Sequence, residues 1–221
     1  MGCGKIKICG LFREADIEYA NEAKPDYIGF VFAESRRQIT PALAERLRRR
    51  LGAGIVPVGV FVDGPCEEIA ALYRNGVIDI AQLHGHEDGA YAAKLKDLSA
   101  GGGRGAVPVI KAIAGGDGAA QAAGQIFAAA DFLLLDSGAG SGRTLDWAAL
   151  HPLLSGAAFA RRPWFLAGGI GLHNIAEALR LGPFGIDISS GAERDGIKDR
   201  EKILRLVEQV HASRQTEIHG V

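Results

Sequence analysis

Two glycine- and serine-rich stretches near the end of the chain, AGGI at 167–170 and DISSGAE at 187–193, have the composition of an anion cradle. Glycine lets a ligand approach the main chain, serine adds hydroxyls, and a short helical turn would offer free amide groups to a negative charge. Each pair alone reads as a turn; together, at Gly168, Gly169, Ser189, Ser190 and Gly191, they point to phosphate. A thiol stands at Cys9, carboxylates at Asp136 and Asp187, adjacent arginines at Arg36 and Arg37, and Gln82 and His84 two apart in QLHG. These are the types that move protons and hold anions. In isolation a cysteine among apolar residues is a small hydrophobe, so Cys9 needs a context before it means chemistry.

The elements that must position these residues alternate along the whole chain. Strands are expected at 5–9, 27–32, 55–62, 78–83, 107–113, 131–136, 163–168 and 184–189. Helical spacing of three and four lies between them, in EADIEYANEA, PALAERLRRRL, CEEIAALYRNG, DGAYAAKLKDL, AAQAAGQIFAAA, DWAALHPLL and HNIAEALRL, and closes the chain in DREKILRLVEQVHAS. Thr40 followed by Pro41 suits an N-cap and a first-turn proline. Eight such units, roughly 27 residues apart, predict an α/β fold, a closed (β/α)8 TIM barrel forming a single domain over 1–221. Its core spans about 5–212, and the tail 213–221, lacking periodicity, is expected to be loosely ordered. An open doubly wound sheet is the alternative that strand counting leaves.

In a barrel, the chemistry sits at the carboxyl ends of the strands, and the candidate thiol, carboxylates, arginines, QLHG pair and glycine-serine segments all fall at or just after one. Parity sharpens the picture: Lys5, Lys7 and Cys9 share one face of the first strand, Ile6 and Ile8 the other. With the isoleucines packed outward, Cys9 points into the barrel mouth and Lys7 lies one layer below it. A buried lysine needs a carboxylate, and parity offers Asp187.

Other charged stretches read more simply. HGHED at 84–88 has metal-ligand types, but barrel metal sites draw on several strand ends, so no metal is expected. His84 is expected to line the pocket, with Glu87 and Asp88 beginning a helix. The basic run AERLRRRL is a solvated helix face, and SAGGGRGAV at 99–107 precedes a strand, which suits a linker instead of a nucleotide loop.

Across 221 residues, 25 Lys and Arg against 26 Asp and Glu leave a net charge of -1. Neither nucleic acid nor a membrane is an expected partner, and an anionic small molecule must be recognised locally. Cys3, Cys9 and Cys66 form no zinc pattern and imply a reducing compartment. With no signal peptide or membrane span in the pattern, a soluble cytoplasmic protein is expected, as a monomer with a homodimer the alternative.

KICG at 7–10, GFVF at 29–32 with SRRQI following, VGVFV at 58–62, QLHG at 82–85, LLLD at 133–136, GSGRTLDW at 140–147, LAGGI at 166–170 and DISSGAE at 187–193 occur in this order. Over about residues 5–210 the chain resembles the phosphoribosylanthranilate isomerase family of tryptophan biosynthesis. The resemblance implies an Amadori rearrangement of N-(5-phosphoribosyl)anthranilate, a small phosphorylated substrate, with no metal or organic cofactor. It makes Cys9 the general base and Asp136 the general acid. Arg37, with Arg36 as the neighbouring alternative, would contact the anthranilate end, beside Gln82, His84 and Asp187 in the substrate pocket, and the Gly-Gly and Ser-Ser-Gly segments would hold phosphate. The loop after Asp136 is shorter than in many members, Leu145 replaces a common phenylalanine, and LFR follows KICG where threonine or asparagine is usual. The related isomerase of histidine biosynthesis carries an aspartate where Cys9 stands.

That chemistry needs Asp136 protonated, an upward shift from about 3.9 for which burial behind FLLL is the expected cause. It also needs Cys9 as thiolate. About 3% of an ordinary thiol is ionised at pH 7, and Lys7 or Arg37 is expected to raise that fraction.

Overall fold

The computed structural model describes residues 4–101, 103–114, 129–136, 154, 159 and 162–218. Eight parallel strands close into a barrel in chain order: β1 (Lys5–Cys9), β2 (Tyr27–Val31), β3 (Val56–Phe61), β4 (Ile80–Leu83), β5 (Val109–Ala114), β6 (Phe132–Asp136), β7 (Trp164–Ala167) and β8 (Gly185–Ile188). Closure, which strand counting left open, is made by β1 pairing with β8 in the register Ile6 to Ile186 and Lys7 to Asp187. Outside lie α1 (Glu14–Ala23), α2 (Pro41–Arg50), α3 (Cys66–Arg74), α4 (Gly89–Ala100), α5 (Ile175–Arg180) and α6 (Arg200–Ile218). The helices anticipated in AAQAAGQIFAAA and DWAALHPLL lie almost wholly outside the described residues, as does the loop carrying Leu145.

Alternation along the strands divides the apolar side chains into two clusters. Val58, Ile80, Ile110, Leu134 and Phe165 fill the barrel interior, while Ile6, Ile8, Ile28, Leu83, Leu133 and Leu135 face the helices. The packed interior places the cavity that the candidate residues share at the carboxyl ends of the strands. Thr40 caps α2 as expected, its hydroxyl accepting from the Leu43 amide at 3.2 Å, with Pro41 opening the helix.

Three local features differ from the sequence reading. The last helix continues through the first part of the expected loose tail, to Ile218. Its Arg214 donates to the Gly4 carbonyl and pairs with Asp26, so tertiary contacts extend a helix whose apolar spacing has already ended. Glu87 does not begin α4. Asp88 is its N-cap, accepting from Tyr91, while Glu87 is buried, pairs with Lys111 at 2.9 Å and accepts from the Asp63 and Gly85 amides. Beyond β8, a 3-10 turn (Ser190–Ala192) leads into a hairpin of β9 (Glu193–Arg194) and β10 (Ile197–Lys198). Its turn residues Asp195 and Gly196 both have positive φ, the two-residue Asp-Gly geometry that twisted strands favour.

Candidate active site

The floor of the site is built by β1 and β8. Lys7 is fully buried and donates to Asp187 Oδ2 at 2.9 Å, the pairing that strand parity anticipates. Cys9 stands one layer above, buried but on the cavity wall. Opposite it on β2 is Gly29, where a Cβ would come within 2.6 Å of the sulfur, so glycine makes the room that the thiol occupies.

From this floor a chain of contacts crosses to the far wall. Lys7 Nζ also donates to Gln82 Oε1 on β4 at 2.8 Å. Gln82 Nε2 lies 2.9 Å from His84 Nδ1, and His84 Nε2 lies 3.1 Å from Oδ2 of Asp136, the last residue of β6. Asp136 is largely buried, 16% exposed at its side chain. Gln82, expected to meet substrate, thus spends both ends of its amide on neighbouring side chains.

Of the two candidate arginines, Arg37 lines the cavity. Its side chain lies over Gly10, where φ is +83° and a Cβ would collide with it. Glu193 accepts from Arg37 Nε at 2.6 Å and from Nη2 at 2.9 Å, and also pairs with the more exposed Arg36 at 2.6 Å. Behind Glu193, buried Lys198 donates to Glu193 at 2.7 Å and to the Ser189 carbonyl at 2.9 Å. Neither Glu193 nor Lys198 was singled out by sequence. The signal that would have found them is RDGI, an Asp-Gly hairpin turn that folds Lys198 back onto the strand-eight loop.

These residues surround a cavity of 450 Å3, lined by Cys9, Arg37, Gln82, His84, Asp136 and Asp187 together with Gly168, Gly169, Ser189 and Ser190. Such a volume suits a small organic ligand. Gly168 and Gly169 adopt φ of +95° and +63°. Gly191 stands behind the wall, where any Cβ would run into the Ile170 carbonyl. A larger, mainly apolar groove of about 670 Å3 opens beside α2 and α3 and holds none of these groups. His86 pairs with Asp63 on an exposed loop, and among the described residues no group of three His, Cys, Asp or Glu side chains is placed to hold a metal ion.

Burial dominates the electrostatics of Cys9. It pushes the thiol up, and Asp187 adds to this, outweighing Lys7 and Lys198, which favour the thiolate. Lys7 favours the thiolate as expected, but burial, which residue types do not convey, is the larger effect, so the cations limit the upward shift without reversing it. Burial works against the Lys7 ammonium, but Asp187 and then Cys9 more than offset this, leaving it above the ordinary lysine value.

A closed (β/α)8 barrel whose carboxyl-end cavity gathers a thiol, carboxylates, an imidazole and an arginine has the architecture of a barrel enzyme. The family profile described as N-(5'phosphoribosyl)anthranilate (PRA) isomerase matches residues 6–209, and the chain belongs to that family. It is 43% identical over 209 residues to the N-(5'-phosphoribosyl)anthranilate isomerase of Endomicrobium trichonymphae, covering 92% of this chain and 96% of that protein. It is similar to the phosphoribosyl anthranilate isomerase structure from Thermus thermophilus, with a TM-score of 0.78, 36% identity and coverage of 95% and 99%. A phosphoribosyl anthranilate isomerase solved in complex with reduced 1-(o-carboxyphenylamino)-1-deoxyribulose 5-phosphate has a TM-score of 0.77 at 28% identity, covering 95% of this chain and 99% of that one.

Proposed function

We propose that the protein converts N-(5'-phosphoribosyl)anthranilate to 1-(2-carboxyphenylamino)-1-deoxyribulose 5-phosphate, a step of tryptophan biosynthesis in the cytoplasm, with Asp136 as general acid and Cys9 as general base. The observation that carries this reading is one cavity holding a thiol at the end of β1, a carboxylate at the end of β6 and glycine-serine loops after β7 and β8.

Opening the furanose needs a proton on the ring oxygen as the C1–O bond breaks, leaving an imine stabilised by the anthranilate nitrogen. Asp136 supplies that proton. Cys9 as thiolate then removes the proton from C2, the electrons shift toward nitrogen, and the enolamine formed becomes the ketone. Asp187 Oδ1 is buried without a hydrogen-bond partner among the described residues and suits a ribose hydroxyl. Arg37, clamped by Glu193, offers its remaining donors to the anthranilate carboxylate. Gly168, Gly169, Ser189 and Ser190 receive the phosphate, with Gly191 letting their two loops approach and Lys198 holding the Ser189 carbonyl below. All of these groups come from a single chain, which supports a monomer as the working unit.

The reading is tested by generating phosphoribosylanthranilate in situ, adding the protein and following anthranilate-type fluorescence. Decay accelerated over the protein-free control is expected; an unchanged decay refutes the assignment.

A further inference from the structure

Gln82 is 1% exposed, and both of its amide atoms are engaged. Their assignment follows from what the neighbours can do. The Lys7 ammonium only donates, so the atom 2.8 Å from it is the Gln82 carbonyl oxygen. The amide nitrogen then faces His84 Nδ1 at 2.9 Å, and because an NH2 group only donates, Nδ1 must accept and carries no proton. The proton of the neutral imidazole sits on Nε2, which donates across 3.1 Å to Asp136 Oδ2.

We propose that Gln82 is a positioning residue: oriented by Lys7, it fixes His84 as the Nε2–H tautomer and thereby keeps the imidazole from taking the proton of Asp136. The opposite tautomer would set a bare ring nitrogen beside the Asp136 carboxyl, where it would compete for the proton that the furanose oxygen must receive. Asp187 completes the arrangement by holding Lys7 in place at 2.9 Å. The role of Lys7 is thus to aim an amide as well as to face the thiol.

The proposal rests on the acid–base reading for the role of Asp136, but the tautomer itself is measurable without turnover. In the full-length, 15N-labelled protein at pH 8, long-range correlation spectra report which ring nitrogen of His84 is protonated, the signals being assigned with His84→Asn. The Nε2–H pattern is expected. Gln82→Glu places an acceptor opposite Nδ1, and His84 should then carry a proton there, with kcat falling about tenfold or more and KM changing less than about twofold. Gln82→Met, which keeps the length but releases the lock, should also lower kcat with little change in KM.

A wild-type His84 protonated on Nδ1 overturns the proposal without any variant. So does a folded Gln82→Glu protein that keeps both the tautomer and kcat. If Gln82→Glu does not fold, the wild-type spectrum and the kcat of Gln82→Met decide, and unchanged kcat in Gln82→Met counts against the proposal. An Nε2–H spectrum together with full activity in Asp136→Asn would remove the acid–base reading while leaving the tautomer assignment standing.

Discussion

Lys7 and Asp187 stand opposite each other on β1 and β8, and their side chains meet at 2.9 Å beneath Cys9. The strand pair that closes the barrel is therefore also the pair that carries the floor of the active site. Removing one partner of a buried ion pair leaves an uncompensated charge. Lys7→Met should cost about 3–5 kcal/mol in urea unfolding, and Lys7→Met combined with Asp187→Asn should recover part of that. Additive losses in the double variant would contradict the pairing.

Burial lifts Cys9 above the ordinary thiol range despite Lys7 and Lys198. The thiolate is the reactive form, so the rate of iodoacetamide attack on Cys9, followed by mass spectrometry of its peptide, should reach half its maximum at a higher pH than for an ordinary exposed cysteine. For the same reason kcat/KM should still rise between pH 7 and 9. A plateau complete by pH 7 would show that the cations win.

Burial pushes Glu193 upward, but hydrogen bonds from Arg37 and Lys198 outweigh it and hold the carboxyl below the ordinary glutamate value. The contribution of its ion pairs is present above the unfolded-state pKa and is lost only as pH falls through the lower folded value. Arg37 therefore stays anchored at pH 5. Glu193→Ala should raise KM about tenfold at pH 7 with a smaller effect on kcat, read from steady-state kinetics.

Two glycines of the strand-seven and strand-eight loops should respond differently to alanine. Around Gly169 a Cβ meets nothing within 4 Å, so only the positive φ opposes it and Gly169→Ala should cost about 1–2 kcal/mol. At Gly191 the Cβ would strike the Ile170 carbonyl and lie 2.9 Å from the Gly171 Cα, forcing the two loops apart. Gly191→Ala should weaken competitive inhibition by inorganic phosphate more than Gly169→Ala does. Equal inhibition constants would show that the loop approach is not what shapes the phosphate site.

The barrel is legible in the chain because buried parallel strands read as short apolar runs and their helices as three-four spacing, and the anticipated strands agree with those observed to within two residues at each end. Parity also discloses the Lys7–Asp187 pair, since β1 and β8 each point one alternate set inward. Partners across the barrel are less visible. The link from Gln82 to His84 and Asp136 joins β4 to β6, and no periodicity states which strands face each other or how far apart their ends stand. The buried Glu87–Lys111 pair looks, in sequence, like a helix start because Glu87 precedes a genuine N-cap. The β9–β10 hairpin has strands of two residues, too short for alternation to show, although its Asp-Gly turn is plain once sought. The balance at Cys9 depends on how completely the closed barrel excludes water, which residue types alone do not convey.

The proposed mechanism requires Cys9 and Asp136 to divide the proton transfers between them. It is tested most directly by the fluorescence assay on Cys9→Ala and Asp136→Asn, with Cys66→Ala, which removes a buried thiol near the Tyr91 carbonyl and away from the cavity, as the reference. kcat should fall by about 10² to 10⁴ in each of the first two variants while all three proteins remain folded, and Cys66→Ala should stay near wild type. Near-wild-type kcat in folded Cys9→Ala or Asp136→Asn, or an equal loss in Cys66→Ala, would contradict it.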